Sequence, residues 1–186
     1  PKGFITYLAK GKAALAEGNT AEYESNLKEL DRFYSYQVTK GERLNAGVEQ
    51  VRSTIETKVD ALVKQGKVNT RKEGLQYLLD IEKGKEKPSS IKVTYSENSK
   101  IPFEIRHSDV LLKLLNPSYD KGVYRTLNTV KQETEALSKA YNSLVTKEAE
   151  AVETTTTTTS AAETTEEVAP TPSSEDSTVQ VMSEEE

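Results

Sequence analysis

The sequence has no cysteine, no tryptophan, a single histidine and no long apolar run. The lack of cysteine excludes disulfide bridges, thiolate metal sites and a cysteine nucleophile. A membrane-spanning helix needs about 20 consecutive apolar residues, and since no segment approaches that length we expect no membrane partner. The first residues, Pro1-Lys2-Gly3-Phe4, lack the apolar core of a secretory signal. We therefore expect the protein in the cytoplasm or assembled into a particle.

Recognisable catalytic motifs are also missing. No nucleophile or orienting carboxylate stands at a recognisable spacing from His107, which we interpret as an exposed loop residue. With one histidine and no cysteine, only oxygen ligands could hold a metal, and no calcium loop or phosphate-binding glycine loop is present. The sequence predicts a protein that is not an enzyme and that uses no cofactor, no metal and no small-molecule substrate.

The charged residues are divided unevenly along the chain. The segment 149–186 holds ten of the 30 acidic residues and neither lysine nor arginine, which leaves 20 acidic and 25 basic residues in 1–148. The first 148 residues thus carry a net charge of +5 and the remainder carries −10. The later segment also has a run of six threonines and no aromatic residue. Because it cannot bury enough apolar surface to offset its backbone entropy, we predict a disordered acidic tail.

A helical hairpin is predicted at the start of the body. A helical stripe that follows Phe4 ends at Gly18, and Asn19 with Glu22 has the spacing of a cap for a second helix. From Tyr23 onward the apolar residues recur in steps of four and three as far as residue 62, which is the spacing of a coiled coil. A polar residue at 37 and a glycine at 41 interrupt this stripe, so we expect a kink or break near 39–41.

The periodicity changes in the middle of the chain. Thr70 with Glu73 forms a capping box for a short helix that ends at Gly84. Residues 91–106 alternate between apolar and polar, which predicts a β-hairpin with one apolar face and with Pro102 on an edge strand. A lone two-stranded hairpin is marginal in water, so this face should pack on the helices or on a partner.

Two further helices are predicted before the tail. Ser108 should cap a short apolar helix that stops at Asn116-Pro117. A final long helix carries apolar residues in steps of four and three from Val123 to Leu144. Two long helices of this kind predict pairing, either antiparallel with each other or with another subunit.

The predicted fold is mainly α, with long coiled-coil-like helices in a bundle, an inserted β-hairpin and a disordered acidic C-terminal tail. Its regions are an N-terminal helical region at 1–87, a hairpin with C-terminal helices at 88–148, and the tail at 149–186. The predicted function is non-enzymatic assembly or interaction, as a structural or scaffold-type component, for instance of a virus- or phage-like particle. Self-association is expected through the apolar seam, which consists of Leu27, Leu30, Leu44, Val48, Val51, Ile55, Leu62, Val123, Leu127, Val130, Leu137, Tyr141 and Leu144.

An alternative function is nucleic-acid binding by the basic body, with the acidic tail as a regulator. Aromatic residues interleaved with cations are typical of surfaces that stack bases and follow phosphates. The residues predicted to make these contacts are Arg32, Tyr36, Lys40, Lys92, Tyr95, Lys100, Lys121 and Arg125. A third hypothesis, a cell-surface protein with a glycosylated threonine-rich stalk, has no export or anchor motif in its favour.

Overall fold

The computed structural model describes residues 3–160 of the chain. It is a mainly α fold with a two-stranded antiparallel hairpin inserted between the helices, as the sequence predicts. The elements in chain order are α1 (Gly3–Glu17), α2 (Thr20–Lys64), α3 (Arg71–Gly84), β1 (Ser90–Val93), β2 (Phe103–Arg106), α4 (His107–Leu115) and α5 (Val123–Ser160).

The predicted helical hairpin at the N-terminus is confirmed. Gly18 ends the first helix with a φ of 72°, a left-handed conformation that glycine adopts without strain. Asn19 caps the second helix, because its side-chain oxygen accepts a hydrogen bond from the backbone N–H of Glu22 at 3.2 Å. The tight turn brings α1 back along the first part of α2, and Phe33 of α2 packs against Tyr7 of α1 with ring centroids 5.8 Å apart.

The expected break near 39–41 was wrong, because α2 is one continuous helix of 45 residues. At a rise of 1.5 Å per residue this is a rod of about 68 Å. Both weak positions of the stripe are used in packing. Gln37 is 2% exposed and bonds to α5, and a Cβ on Gly41 would lie 3.4 Å from a methyl group of Val130.

The two long helices pair with each other in antiparallel orientation. The Tyr23 hydroxyl donates to Glu148 at 2.8 Å, near the start of α2 and late in α5. Further along α2, Gln37 donates to Glu133 at 2.9 Å. As the residue number rises along α2, the number of the α5 partner falls, which defines an antiparallel pair.

The core is divided into two clusters that share α2 and α5. The first gathers around Leu44, Val51 and Ile55 of α2 and includes residues of α3, α4, β2 and the start of α5. The second lies under α1 and is built on Leu30 and Leu137. After Ile55, a step of three would place the next seam residue at Lys58, which is exposed, whereas the buried residue is Val59, which is 1% exposed. A helix of 3.6 residues per turn drifts in this way from a strict heptad repeat.

The apolar face of the hairpin packs on α2. The strands pair Ile91 with Ile105 and Val93 with Phe103, and Ile105 is fully buried. Gly47 makes this packing feasible, because a Cβ there would lie 2.6 Å from the Cδ1 atom of Ile105. The strands are shorter than predicted: the segment between them is irregular, and Ile101 is 80% exposed.

The start of α3 agrees with the sequence, whereas the start of α4 and the end of α5 do not. Thr70 caps α3 by accepting a hydrogen bond from the N–H of Glu73 at 3.2 Å. The prediction that Ser108 caps α4 was wrong, because the helix begins directly after β2 at His107 and has no side-chain cap. Instead, the N–H of His107 donates to the carbonyl of Ser89 at 2.9 Å, which continues the strand pairing into the first helical residue.

The final helix continues beyond the last predicted apolar position. α5 extends to Ser160 and so includes the first residues of the segment 149–186. Alanine and glutamate near position 150 are strong helix formers, which explains why the helix does not stop where the apolar stripe stops. The rest of the predicted disordered tail, residues 161–186, lies outside the described residues.

Candidate functional site

Most of the predicted seam is buried inside the chain itself. The positions with at most 8% exposure are Leu30, Leu44, Val48, Val51, Ile55, Leu62, Val123, Val130, Leu137 and Leu144. Leu27, Leu127 and Tyr141 are partly buried. The first set therefore needs no second chain for its burial. That the seam also forms an oligomer contact stays a prediction.

The seam is unevenly covered. Along α5, Val123, Val130, Leu137 and Leu144 recur every seven residues and are all buried. The companion row at 127, 134 and 141 is only partly buried. On one side of the α2–α5 pair, α1 and the β-hairpin cover the helices, through Phe33 and Gly47 of α2. On the opposite side the pair is open, and a groove runs between the two helices.

This α2–α5 groove is a single furrow. Its central section encloses about 570 Å³, and it shares Tyr34 and Ser138 with a smaller hollow at one end. It shares Leu127 and Asn128 with a third hollow, which reaches Arg52 and is closed on one side by Val110, Lys113 and Leu114 of α4. The section lined by α2 and α5 alone runs along α2 from residue 31 to residue 45, a distance of about 21 Å, which is the length of a helix of four turns. The groove thus has the dimensions of a seat for a third helix.

The groove combines apolar and polar residues. Tyr34, Val38, Leu127 and Tyr141 supply apolar surface, and Tyr34 is 40% exposed. The hydrogen-bonding groups along the central section are those of Asn45, Asn128, Thr134 and Ser138, together with Gln37. This mixture resembles the half-buried surface of a helical bundle more than a deep pocket for a small ligand.

One buried polar atom in the groove has no partner among the described residues. Gln37 lines the groove, and its Nε2 donates to the Glu133 carboxylate at 2.9 Å. Its Oε1 is buried and accepts no hydrogen bond. The amide cannot simply be turned over, because its oxygen would then face the carboxylate. A buried acceptor without a donor costs about 1–3 kcal/mol, so it marks a place where a donor would be favourable.

The rim of the groove is acidic. Asp31, Glu42 and Glu135 line it, against one cation, Lys131. None of the three carboxylates forms an ion pair within 4 Å in the described part of the chain. The far end is different, because Arg52 pairs with Glu49 at 3.7 Å and Lys113 lies beside them. Among the residues that line the groove, the net negative charge is therefore carried by the central section and by the end at Asp31.

Some of the predicted nucleic-acid contacts come together on the opposite, hairpin side of α2. The Nζ atom of Lys40 lies 4.3 Å from the ring centroid of Tyr95, and Tyr36 is near enough to Tyr95 to raise the pKa of its hydroxyl together with burial. Arg43, which the sequence analysis missed, donates to Thr94 at 3.2 Å. We call Tyr36, Lys40, Arg43 and Tyr95 the basic aromatic cluster.

The other predicted contacts lie elsewhere. Arg32 pairs with Glu29 at 3.0 Å, and Lys92 lies on β1 opposite Glu104. Lys100 is exposed in the segment between the strands. Lys121 and Arg125 are exposed just before and just after the start of α5. The structure therefore brings together three of the eight predicted residues, Tyr36, Lys40 and Tyr95. Arg43 could also have been predicted, because positions 36, 40, 43 and 47 lie on one face of a helix.

His107 is not an exposed loop residue as expected, but a half-buried residue at the start of α4. It lines a small cavity of about 150 Å³ together with Lys58, Glu82 and Lys85. Burial lowers the pKa of His107, and so do Lys58 and Lys85, while Glu82 opposes them. The described residues contain no group of three or more side chains that could hold a metal ion.

The comparisons with known proteins give no relative. The sequence matches no protein-family model, and neither a curated protein nor a solved structure matches it. Among the helices that the structure describes, none is both long enough and apolar enough to cross a bilayer.

Proposed function

We propose that this protein is a non-catalytic interaction and assembly component that binds an amphipathic helix of a partner protein in the α2–α5 groove. The observation that carries the proposal is the half-covered seam: one face of the α2–α5 pair is packed within the chain, and the other is open from Asp31 to Asn45 of α2, over about 21 Å. A structural component of a virus- or phage-like particle is one kind of protein that would use such a surface.

The physical support comes from what the groove would gain on filling. Apolar side chains in a groove between helices are the usual seat of a helical ligand, which presents residues at i, i+3, i+4 and i+7. Tyr34 and Tyr141 have rigid rings that bury much surface at little entropic cost. A helix laid here would complete a three-helix packing over the middle of α2, as α1 does near its N-terminus.

The test is a titration of the isotope-labelled full chain with a model helix. The probe is a peptide of about 21 residues with leucine at the seam positions and glutamine and serine on the flanks. We expect shift changes at Val38, Leu127 and Ser138, with binding in the range of about 10–1,000 μM. A scrambled peptide of the same composition is the control. Equal shifts with both peptides, or changes confined to residues outside the groove, would overturn the proposal.

Nucleic-acid binding is a second candidate function, favoured by the basic aromatic cluster. Lys40 and Arg43 have no carboxylate within 4 Å among the described residues, and Tyr36 is 41% exposed. The case is weaker than that for the groove, because Lys40 and Phe103 already contact the ring of Tyr95, which leaves less of it for stacking on a base.

Fluorescence anisotropy with labelled single-stranded DNA and RNA tests this second function. The full chain is compared with the double variant K40Q/R43Q and with the matched control K67Q/K72Q, which removes the same charge from exposed positions elsewhere. If the cluster binds phosphates, only the first variant lowers the slope of log affinity against log salt, by about 1.4 for the two cations removed. Equal losses in both variants would indicate general attraction, and no binding at low salt would end this hypothesis.

A further inference from the structure

We infer that the partner helix seated in the α2–α5 groove is basic and places a hydrogen-bond donor, from lysine, arginine or asparagine, over Gln37. This inference rests on the proposed function and names the chemistry of the ligand at that same site. Two independent observations carry it: the uncompensated carboxylates along the rim and the unpartnered amide oxygen of Gln37.

The acidic residues on the rim of the groove favour a positively charged ligand. Glu42 on α2 and Glu135 on α5 line the central section, and Asp31 on α2 lines the adjoining hollow. Lys131 is the only cation among the described residues that line either. Lysine or arginine at the flanking positions of a seated helix would lie beside these carboxylates. Like charges at those positions would be repelled, so charge discriminates between partners more than it adds affinity.

The buried side-chain amide of Gln37 favours a hydrogen-bond donor at one position of the ligand. Gln37 occupies a seam slot of α2 in which an apolar residue would be the rule, and its Oε1 is the unfilled acceptor. A single polar residue at such a slot is a known way of fixing register and partner in helical assemblies. Because the oxygen is covered in the free chain, seating requires a small side-chain adjustment.

The same charges disfavour a second copy of this chain as the occupant. Two identical grooves brought face to face would place the rim carboxylates of both copies together. The inferred partner is therefore a different protein with a basic amphipathic segment.

The experiment uses three peptides that share the leucine seam of the neutral probe and differ in their flanks, which carry lysine, glutamate or glutamine. We expect the lysine peptide to bind the full chain about tenfold or more tightly than the glutamate peptide at low salt. The variant E42Q/E135Q should reduce this ratio to about threefold or less, whereas the control E97Q/E104Q, on the hairpin side, should leave it unchanged.

A second series tests Gln37. The central seam residue of the lysine-flanked peptide is either lysine or leucine, and each peptide is titrated into the full chain and into Q37L, with circular dichroism as the check on folding. We expect Q37L to weaken the lysine-centred peptide and to strengthen the leucine-centred one, each by about fivefold.

The outcomes separate the inference from the proposed function. If the neutral peptide binds in the groove but the three flanks bind equally, or Q37L shifts both peptides alike, the inference is wrong and the helix-binding function stands. If no peptide binds, both are wrong. If sedimentation equilibrium shows a dimer that E42Q/E135Q strengthens, the occupant is a second copy and the inference is likewise overturned.

Discussion

The side-chain amide of Gln37 donates a hydrogen bond of 2.9 Å to the carboxylate of Glu133, and this bond joins the two long helices midway along their pairing. Gln37 is 2% exposed, so the bond is shielded from water on the α2 side. It holds a polar group at a position that the heptad pattern reserves for an apolar one. The two partners should therefore respond differently to substitution.

Glu133→Ala should lower the free energy of unfolding by about 1–3 kcal/mol, because the buried amide of Gln37 would lose its acceptor. Gln37→Leu should change it by less than about 1 kcal/mol, because the variant also removes the buried oxygen that has no donor. Urea unfolding followed by circular dichroism measures both. Equal losses of stability in the two variants would show that the lost Gln37–Glu133 hydrogen bond, and not the buried amide left without an acceptor, accounts for the destabilisation.

Gly47→Ala should destabilise the fold by about 1–3 kcal/mol even though alanine favours helices. A Cβ at this position would lie 2.6 Å from Ile105 and 2.7 Å from Val93, so the hairpin would be pushed away from α2. Gly41→Ala on the same helix is the matched control, since its Cβ would meet only Val130 at 3.4 Å. The control should be neutral or stabilising by up to about 1 kcal/mol in thermal unfolding. A stabilised Gly47→Ala protein would contradict the described hairpin packing.

Gly122→Ala should be more harmful than Gly66→Ala, although both glycines have positive φ. The φ values are 61° and 72°, so both variants bear the left-handed strain of about 1–2 kcal/mol. Only at Gly122 would the new Cβ also meet the carboxylate of Asp109, with the Cγ atom at 2.7 Å. That carboxylate accepts a hydrogen bond from Tyr119, so the clash would disturb the loop before α5. Equal melting temperatures of the Gly122→Ala and Gly66→Ala proteins would show that the contact with Asp109 adds no destabilisation.

The carboxylate of Glu82 should make stability depend on acid. Burial raises its pKa, but hydrogen bonds from Lys85 at 2.9 Å and from the backbone N–H of Ser89 at 3.0 Å outweigh this and lower the pKa from 4.5 to about 2. A depressed carboxyl pKa stabilises the fold above the unfolded value and loses this contribution as the pH falls towards about 2.

Unfolding experiments from neutral pH down to about pH 2 test this, because the unfolded carboxyl begins to bind its proton near pH 4.5. Glu82→Gln should be less stable at neutral pH by about 2 kcal/mol and should show a flatter acid limb than the parent chain. Glu86→Gln serves as the control, because Glu86 lies two residues after the end of α3 and has none of these bonds. If the free energy of unfolding falls with decreasing pH in parallel for all three proteins, Glu82 is not the source of the acid dependence.

Local signals predicted the elements of the fold well. The caps at Asn19 and Thr70, the alternation before and after the hairpin turn, and the four-and-three spacing of α5 all reflect interactions between residues close in the chain. The errors arose where distant residues decide. Gln37 and Gly41 look like a break until α5 supplies Glu133 and Val130 as partners, so tertiary packing overrode propensity.

The sequence predicted individual residues of the candidate site but not their arrangement as a groove. The sequence placed Leu127 and Tyr141 on a seam, but it did not show which row of α5 would be covered by the rest of the chain. That depends on α1 and the hairpin packing on the same side of α2, which no local pattern encodes. The basic aromatic cluster was half predicted for a similar reason, because Arg43 acquires its role from Thr94, which is 51 positions away.

The unbroken course of α2 has a consequence for the way the molecule loses its structure. Residues of this one helix belong to both core clusters, with Leu30 in one and Leu44, Val51 and Ile55 in the other. Neither cluster can unfold without disrupting part of α2, which also forms part of the other cluster. Amide protons along the middle of α2 should therefore exchange with solvent only when the whole body opens, whereas those of α1 and the hairpin can exchange through smaller, local openings.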